Sequence, residues 1–475
     1  MKKQGFNPFL PSWEYIPDGE PHLFDGRIYL YGSHDKFNGY VYCMNDYVSW
    51  SAGEDDLTDW RYEGVIFKKT DDPLNADGSM NLYAPDVTQG PDGRYYLYYV
   101  LDKSDVVSVA VCSSPAGKYE FLGYVRYPDG TLYGRKEGDL QQFDPGVLTE
   151  GGKTYLYTGQ CWPGDKTKKG SLAAVLDADM LTITQGPFFI IPGSCYSEGT
   201  GFEDHEFFEA SSIRKLGGTY YFVYSSVTLN ELCYATSKNP LKDFTYGGVI
   251  VSNTDMHLGK PMNHNGNNHG GIIEIKGKLY VFYHRHTNGR DFCRQACMEP
   301  LEIDKDGKIK QAMMTSCGPN KGPLAGLGEY PAYTACNFFS VTDNGKQEWD
   351  LIPKGKWPRR DARLPYVSQD GRDGDEEPGF VTNINDNYGI GFKFFDCKGV
   401  KGVKVKTRGY NRGFFEVKTS LDAPPLGTIE ITSSNIWKEF QADIAIPDGI
   451  QAIYFIYKGT GSATLGSFTL LLCNK

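Results

Sequence analysis

Five ionisable residues stand at one shared offset in this chain. Asp18, Asp86, Asp144, Glu209 and His269 each lie seven to nine residues before a glycine that opens a near-copy of one segment. The copies are "GRIYLYGS" from Gly26, "GRYYLYYV" from Gly93, "GKTYLYTG" from Gly152, "GTYYFVYS" from Gly218 and "GKLYVFYH" from Gly277. If the copies are equivalent in space, the five groups form a ring of four carboxylates and one imidazole. Carboxylates so close cannot all ionise without cost, and their pKa values must spread apart. One group held protonated and another held ionised is the requirement for acid/base work on a glycosidic bond. A single Asp before a turn means only a turn. Turn chemistry, however, has no need of Glu209 or His269 at the same offset.

The elements that must position these groups follow from the copies. Each begins at a Gly-containing turn of hairpin type and continues as an aromatic, β-branched strand. The copies recur every 59 to 67 residues, which fits a four-stranded antiparallel sheet with its loops. An array of such sheets protects its edges by closing into a ring, so the period predicts a five-bladed β-propeller over residues 1–325. In such a ring the start of each innermost strand faces the central channel at one end. Sustained helical periodicity is sparse throughout. After "SCGPNKGPLAGLGEYPAY" (Ser316–Tyr333) the composition changes, and short alternating strands such as "GFKFFDC", "GVKVKTRG" and "QAIYFIYKG" predict a β-sandwich over residues 326–475. The expected fold class is therefore all-β.

Bulk properties narrow the partners. A formal net charge of -10 argues against a nucleic-acid or anionic-membrane surface. No apolar run is long enough to span a bilayer as a helix. Eleven scattered cysteines without a CxxC pair argue against zinc and read as reduced, mostly buried thiols. The start "MKKQGFNPFLPSWEY" has two lysines and no apolar stretch after them, and the expectation is a cytoplasmic protein. Nothing in the sequence speaks to oligomeric state.

Jointly, "PDGEPHLFDGRIYLYGSHD", "LYAPDV", "FDPGVL", "FFEASSIRKLGGTYYFVYSS" and "NHGGIIEIKGKLYVFYHR" resemble glycoside hydrolase family 43 over about residues 8–310. That resemblance implies a five-bladed propeller of inverting enzymes, chiefly β-xylosidases and α-L-arabinofuranosidases. It places the general base on Asp18, within "PDG" where the family more often has "ADP". The aspartate that orients the acid and tunes its pKa falls on Asp144, and the general acid on Glu209. Arg294 matches a sugar-contacting arginine, with Arg285 and Arg290 as neighbouring alternatives. Tyr83 stands where many relatives have a tryptophan, and is expected to stack on sugar or simply to pack. His34 and Asp35, following the first copy, are expected near the pocket, while Asp86 is expected to support the ring by hydrogen bonding. His269 resembles a channel histidine that contacts a bound calcium or its waters, although one imidazole alone makes a poor calcium site. No cofactor is expected to be required beyond such a structural ion. The C-terminal region, from about Asn337, resembles the jelly-roll of family 6 carbohydrate-binding modules, with Tyr410 and Trp437 as candidate stacking residues.

The function implied is release of terminal xylose or arabinofuranose from plant-derived oligosaccharides. A non-catalytic sugar-binding propeller and an exo-galactanase on the same fold remain alternatives. A retaining fructan-cleaving enzyme is disfavoured, because its "NDPNG"-type opening is missing.

Overall fold

The computed structural model describes residues 4–255, 262–341 and 364–472. Parts of the charged stretch Pro353–Gly379 therefore lie outside the described residues.

Five antiparallel sheets follow one another. Blade one comprises Glu20–Phe24, Arg27–Tyr31, Tyr47–Gly53 and Asp56–Phe67, and blade two Asp86–Gln89, Tyr95–Tyr99, Ser108–Cys112 and Glu120–Tyr124. Blade three comprises Gly146–Glu150, Lys153–Thr158, Gly170–Leu176 and Ile183–Pro192, and blade four Phe207–Leu216, Thr219–Ser226, Glu231–Ser237 and Thr245–Ser252. Blade five has three strands, Ile272–Ile275, Lys278–Arg285 and Gln295–Leu301. The first strands of successive blades touch in cyclic order, blade five returning to blade one, and so line the channel.

The repeated segment is the second strand of every blade, and its hairpin explains the repeated glycine. Gly26, Gly93, Gly152, Gly218 and Gly277 all take φ between 74° and 82°, which favours a residue without Cβ. The aromatic alternation has an equally local cause. Successive side chains of a strand point to opposite faces, and each face meets a different neighbouring blade. Tyr95, Leu97 and Tyr99 pack toward blade one, whereas Tyr96 and Tyr98 pack toward blade three. Likewise Phe222 and Tyr224 meet blade three while Tyr221 and Val223 meet blade five. A strand buried on both faces favours large, mainly apolar side chains, and Tyr supplies width between blades plus a hydroxyl that finds its own acceptor, as Tyr98 does at Met180 O (2.8 Å) and Tyr99 at Asp72 Oδ2 (2.7 Å).

The N-terminal segment closes the ring. Phe9 N–H donates to Ala296 O (3.2 Å), and the Asn7 amide bridges Met298, donating to its carbonyl (2.8 Å) and accepting from its N–H (3.0 Å). These contacts run beside the outermost strand of blade five.

Ten strands, from Leu324–Ala325 to Ala463–Leu471, form one sheet among the described residues. Its centre is Gly402–Lys418, which pairs with Ala463–Leu471 along its first half and with Gly449–Gly461 along its second. The sheet curls so that its halves face each other: Phe392 and Phe455, from one half, pack on Phe468 of the other at 4.7 and 5.2 Å. The expected sandwich is thus a curled continuous sheet around one apolar core. A buried ion pair ties it to the propeller, Lys393 Nζ to Asp255 Oδ2 at 2.6 Å, with Asn337 Nδ2 on the same oxygen at 2.7 Å. The ten described cysteines are all free. Among the described residues no helix is long and apolar enough to cross a membrane.

Candidate active site

Antiparallel pairing sets the start of each first strand beside the end of the second: Glu20 faces Tyr31, Gly146 faces Tyr157, and Glu209 faces Ser225. Residues before the first strand and residues after the second therefore meet at one end of the channel. There they enclose a cavity of about 310 Å³, the size of a small sugar site. Asp18, Asp144, Glu209, His269, Tyr83 and Arg294 all line it.

Local backbone aims the carboxylates. Asp18 and Asp144 sit in the left-handed region, φ 58° and 42°, which Asp tolerates better than most residues. Blade four is bulged between Glu209 and Ser212, with Ala210 at φ 69°, and the bulge directs Ala210 N–H to Asp144 Oδ2 at 3.1 Å. The two blades approach this closely because residue 146 is glycine; a Cβ there would lie 2.4 Å from Ser211 O.

The three carboxylates, all buried, have contrasting surroundings. Burial alone would raise Asp18, but the charge of Arg294, then His284 and His269, outweigh it and hold Asp18 well below the usual carboxylate range. Arg294 Nη1 donates to Asp18 Oδ1 at 2.9 Å, and His284 Nδ1 lies 3.2 Å from the same oxygen. Burial pushes Glu209 up to about 7, with the Asp18 charge adding to the rise and the Gln160 hydrogen bond (Nε2 to Oε2, 2.9 Å) opposing it. Asp144 is raised well above the usual range by burial and by the charges of Glu209 and Asp18. His269 Nδ1 sits 3.8 Å from Asp18 and 3.6 Å from Asp144, and burial lowers its pKa to about 4. One carboxylate is therefore ionised and another protonated near neutrality, within one hollow.

The other expected residues divide. Asp35 does not line the cavity; fully buried, it grips Arg294 from behind, accepting from Nε at 2.9 Å and Nη2 at 3.0 Å. His34 does not line the cavity; it is bonded to Glu14 (3.0 Å) and to Asp46 O (2.9 Å). Of the two residues expected near the pocket, neither His34 nor Asp35 is part of its lining. Asp86 faces the channel and binds His22 (2.6 Å) and Val147 N–H (2.8 Å), outside the cavity lining. Arg285 is buried against Glu299 at 2.9 Å and Arg290 is exposed, so neither stands in for Arg294 at the cavity. Trp437 lies against Arg408 (4.4 Å) and Tyr410 is 84% exposed.

Sequence reasoning missed Tyr42, Gln160, Trp162 and Asn267, all in the lining. Tyr42 lies under the Arg294 guanidinium at 4.8 Å, and Trp162 stands edge-on to Phe208 at 5.0 Å. Gln160 and Trp162 directly follow the third copy. The same offset logic applied to the far end of each repeated strand would have found them.

A calcium ion needs six to eight oxygen ligands. Near His269 the buried acceptors without a hydrogen-bond partner include Glu20 Oε1, 4.0 Å from His269 Nε2, and the amide oxygens of Asn267 and Asn268. On the adjacent Glu20–His22–Asp86 cluster the Arg214 guanidinium already sits, 2.7 Å from Glu20 and 3.3 Å from His22. These donors would give a hydrated cation a foothold, not a protein-built cage.

A five-bladed propeller with oppositely poised carboxylates in a sugar-sized hollow defines a carbohydrate-cleaving enzyme of the glycosidase class. The chain belongs to glycosyl hydrolases family 43, whose family model matches residues 17–309. It is 63% identical, over 99% of each chain, to a xylosidase/arabinosidase of Thermoclostridium stercorarium. A solved β-xylosidase/α-arabinofuranosidase of this family from a compost microbial metagenome, in complex with xylotriose and in calcium-free form, is 28% identical with a TM-score of 0.51 over 64% of this chain and 96% of that one. An arabinoxylan arabinofuranohydrolase structure from Bacillus subtilis shares the fold over 98% of this chain and 97% of its own, with TM-score 0.53 at 21% identity.

Proposed function

We propose that this glycosidase releases single terminal pentoses, β-D-xylose or α-L-arabinofuranose, from hemicellulose-derived oligosaccharides with inversion at the anomeric carbon. The observation that carries the reading is the opposed state of Asp18 and Glu209 in one cavity. The activities named for the 63% identical relative support the pentose class, and the small hollow suits an end-on sugar ring better than a chain lying through it.

Asp18 would act as general base and Glu209 as general acid. A water oxygen bonds to the anomeric carbon as the glycosidic C–O bond breaks; Asp18 takes the water's proton, and Glu209 gives its own to the departing oxygen. Afterwards Asp18 is protonated and Glu209 ionised, and exchange with solvent resets both. Asp144 would orient Glu209 by accepting from Ala210 N–H at the bulge, while burial and the Asp18 charge keep Glu209 protonated. Arg294 and Tyr83 would bind sugar hydroxyls and ring. A calcium ion at His269, if bound through water, would supply positive charge below the carboxylates. The catalytic unit would end near residue 325, since the last strand of blade five ends at Leu301 and the C-terminal sheet starts at Leu324.

A panel of 4-nitrophenyl glycosides followed by proton NMR of the first-formed sugar tests the reading. Pentose release with inverted anomeric configuration is expected. Retention, or sugar binding with no new reducing ends, would overturn it.

A further inference from the structure

The loop of residues 34–46 carries both Asp35, which grips Arg294, and Tyr42, which lines the cavity beneath that guanidinium. Internal bonds brace it, among them Asn45 N–H to His34 O (3.0 Å) and Gly39 N–H to Lys36 O (2.7 Å). Asp35 Oδ1 accepts from Cys43 N–H at 3.0 Å, and Asn45 Nδ2 donates to Asp35 O at 3.1 Å. From outside, propeller residues hold both ends of the loop, Tyr15 O accepting from Asp35 N–H (2.9 Å) and Lys69 N–H donating to Asp46 Oδ1 (2.9 Å), and a side chain from beyond the propeller reaches its middle. Asp373 accepts from Phe37 N–H through Oδ1 at 2.6 Å, and from Asn45 Nδ2 through Oδ2 at 3.1 Å. The two protons of the Asn45 amide are thus shared between Asp373 and the carbonyl of Asp35.

Asp373 is itself held in place. Its segment is turned by Arg372 N–H to Asp375 Oδ2 (2.6 Å), and it is pinned to the propeller on both sides, by Val367 N–H to Thr287 O (2.7 Å) and Gly379 N–H to Ser12 Oγ (2.8 Å). The segment therefore reaches the loop from a fixed base. Hydrogen bonds to an ionised acceptor are the strong kind, and these two lie part-buried.

We propose that Asp373, supplied by the C-terminal part of the chain, is a positioning residue of the sugar pocket, acting through Asn45 and Asp35 on Arg294 and through the loop on Tyr42. This rests on the reading that the cavity binds the terminal sugar. On this account the C-terminal unit shapes the catalytic pocket whether or not it binds carbohydrate itself. Because Asp18 keeps its own contact with His284, loosening the loop weakens sugar binding more than it weakens the chemical step.

The test uses the full chain and whichever 4-nitrophenyl pentoside, xylopyranoside or arabinofuranoside, the wild type turns over faster. KM and kcat are measured together with competitive inhibition by the corresponding free pentose. Losing hydrogen bonds to a charged acceptor predicts that Asp373→Ala raises KM and the pentose inhibition constant in parallel by about tenfold, with kcat within about threefold of wild type. Asp373→Asn keeps the volume and one acceptor but opposes an amide to the Asn45 amide, so it shows the same pattern at smaller size and reads the tie even if the alanine variant is unstable. Combining Asp373→Ala with Asn45→Ala costs less than the sum of the two, because both break the Asp373–Asn45 bond while the Phe37 and Asp35 carbonyl bonds are each lost in one variant only. The exposed neighbour Glu376→Ala behaves as wild type. Unchanged KM and inhibition constant in folded Asp373→Ala and Asp373→Asn, a loss confined to kcat, or full additivity with Asn45→Ala would each overturn the proposal. A wild type that releases no pentose would instead overturn the functional reading beneath it.

Discussion

Replacing Glu209 by Gln gives a test in which loss of activity and gain of stability come from one cause. The buried carboxyl has its pKa raised from the ordinary 4.5 to about 7, so the folded state binds its proton more tightly than the unfolded state does. Between those two values the folded protein holds more protons than the unfolded one, and stability falls as pH rises; above about 7 the loss is complete. At 1.36 kcal/mol per pKa unit, the carboxylate costs the wild type about 3 kcal/mol at pH 8. Gln is nearly isosteric with the protonated acid, and its amide oxygen can still accept from Gln160 Nε2. Below about pH 4.5 variant and wild type should unfold at closely similar urea concentrations. At pH 8 the variant should be the more stable by about 3 kcal/mol from this group, with a further contribution from Asp144, whose carboxylate no longer faces the Glu209 charge. Urea unfolding followed by tryptophan fluorescence at a series of pH values measures this, with the first transition taken as that of the propeller. The same variant should lose about 10²–10⁴ in kcat on an unactivated pentoside, as removal of a general acid does. A stability gap that does not change with pH, or a Gln variant less stable than wild type at pH 8, would refute the argument that burial of this acid is what keeps it protonated.

Two further outcomes follow from the geometry. Arg294→Lys places a point charge where a guanidinium fork holds Asp35 by two nitrogens and Asp18 by a third; a drop of about 100-fold or more in kcat/KM on a pentoside panel is expected, since lysine cannot make that set of bonds. Lys393→Ala removes the cation bound to buried Asp255, to which Asn337 Nδ2 also donates, and thermal unfolding should show a loss of about 3–5 kcal/mol with kcat unchanged; a loss below about 1 kcal/mol would mean the pair does not fasten the C-terminal sheet to the propeller.

Much of the fold was legible because its causes are local. A glycine forced to positive φ, a run of alternating aromatics, and a period near sixty residues each record a physical need of one blade, and five repetitions made the ring readable. The common offset of Asp18, Asp144, Glu209 and His269 had the same origin, since equivalent places in equivalent blades meet around one axis. His34 and Asp35 were expected near the pocket, and only the fold shows that His34 bonds Glu14 while Asp35 holds Arg294 from behind the cavity wall. Gln160, Trp162 and Asn267 were missed because they sit in loops whose residue types do not repeat between blades, even though the offset that finds them does.

The sequence by itself determined the number of blades, the all-β class and which carboxylates stand at the channel mouth, because turn chemistry and side-chain alternation act over a few neighbouring residues. Tertiary structure alone decided which carboxylate carries a proton, because that depends on burial and on charges such as Arg294, 276 residues away from Asp18 along the chain. It alone placed Asp373 against the loop of Asp35, a contact spanning 336 residues between Phe37 and Asp373. Electrostatics and packing act through space, and no periodicity in the chain records where such distant partners will meet.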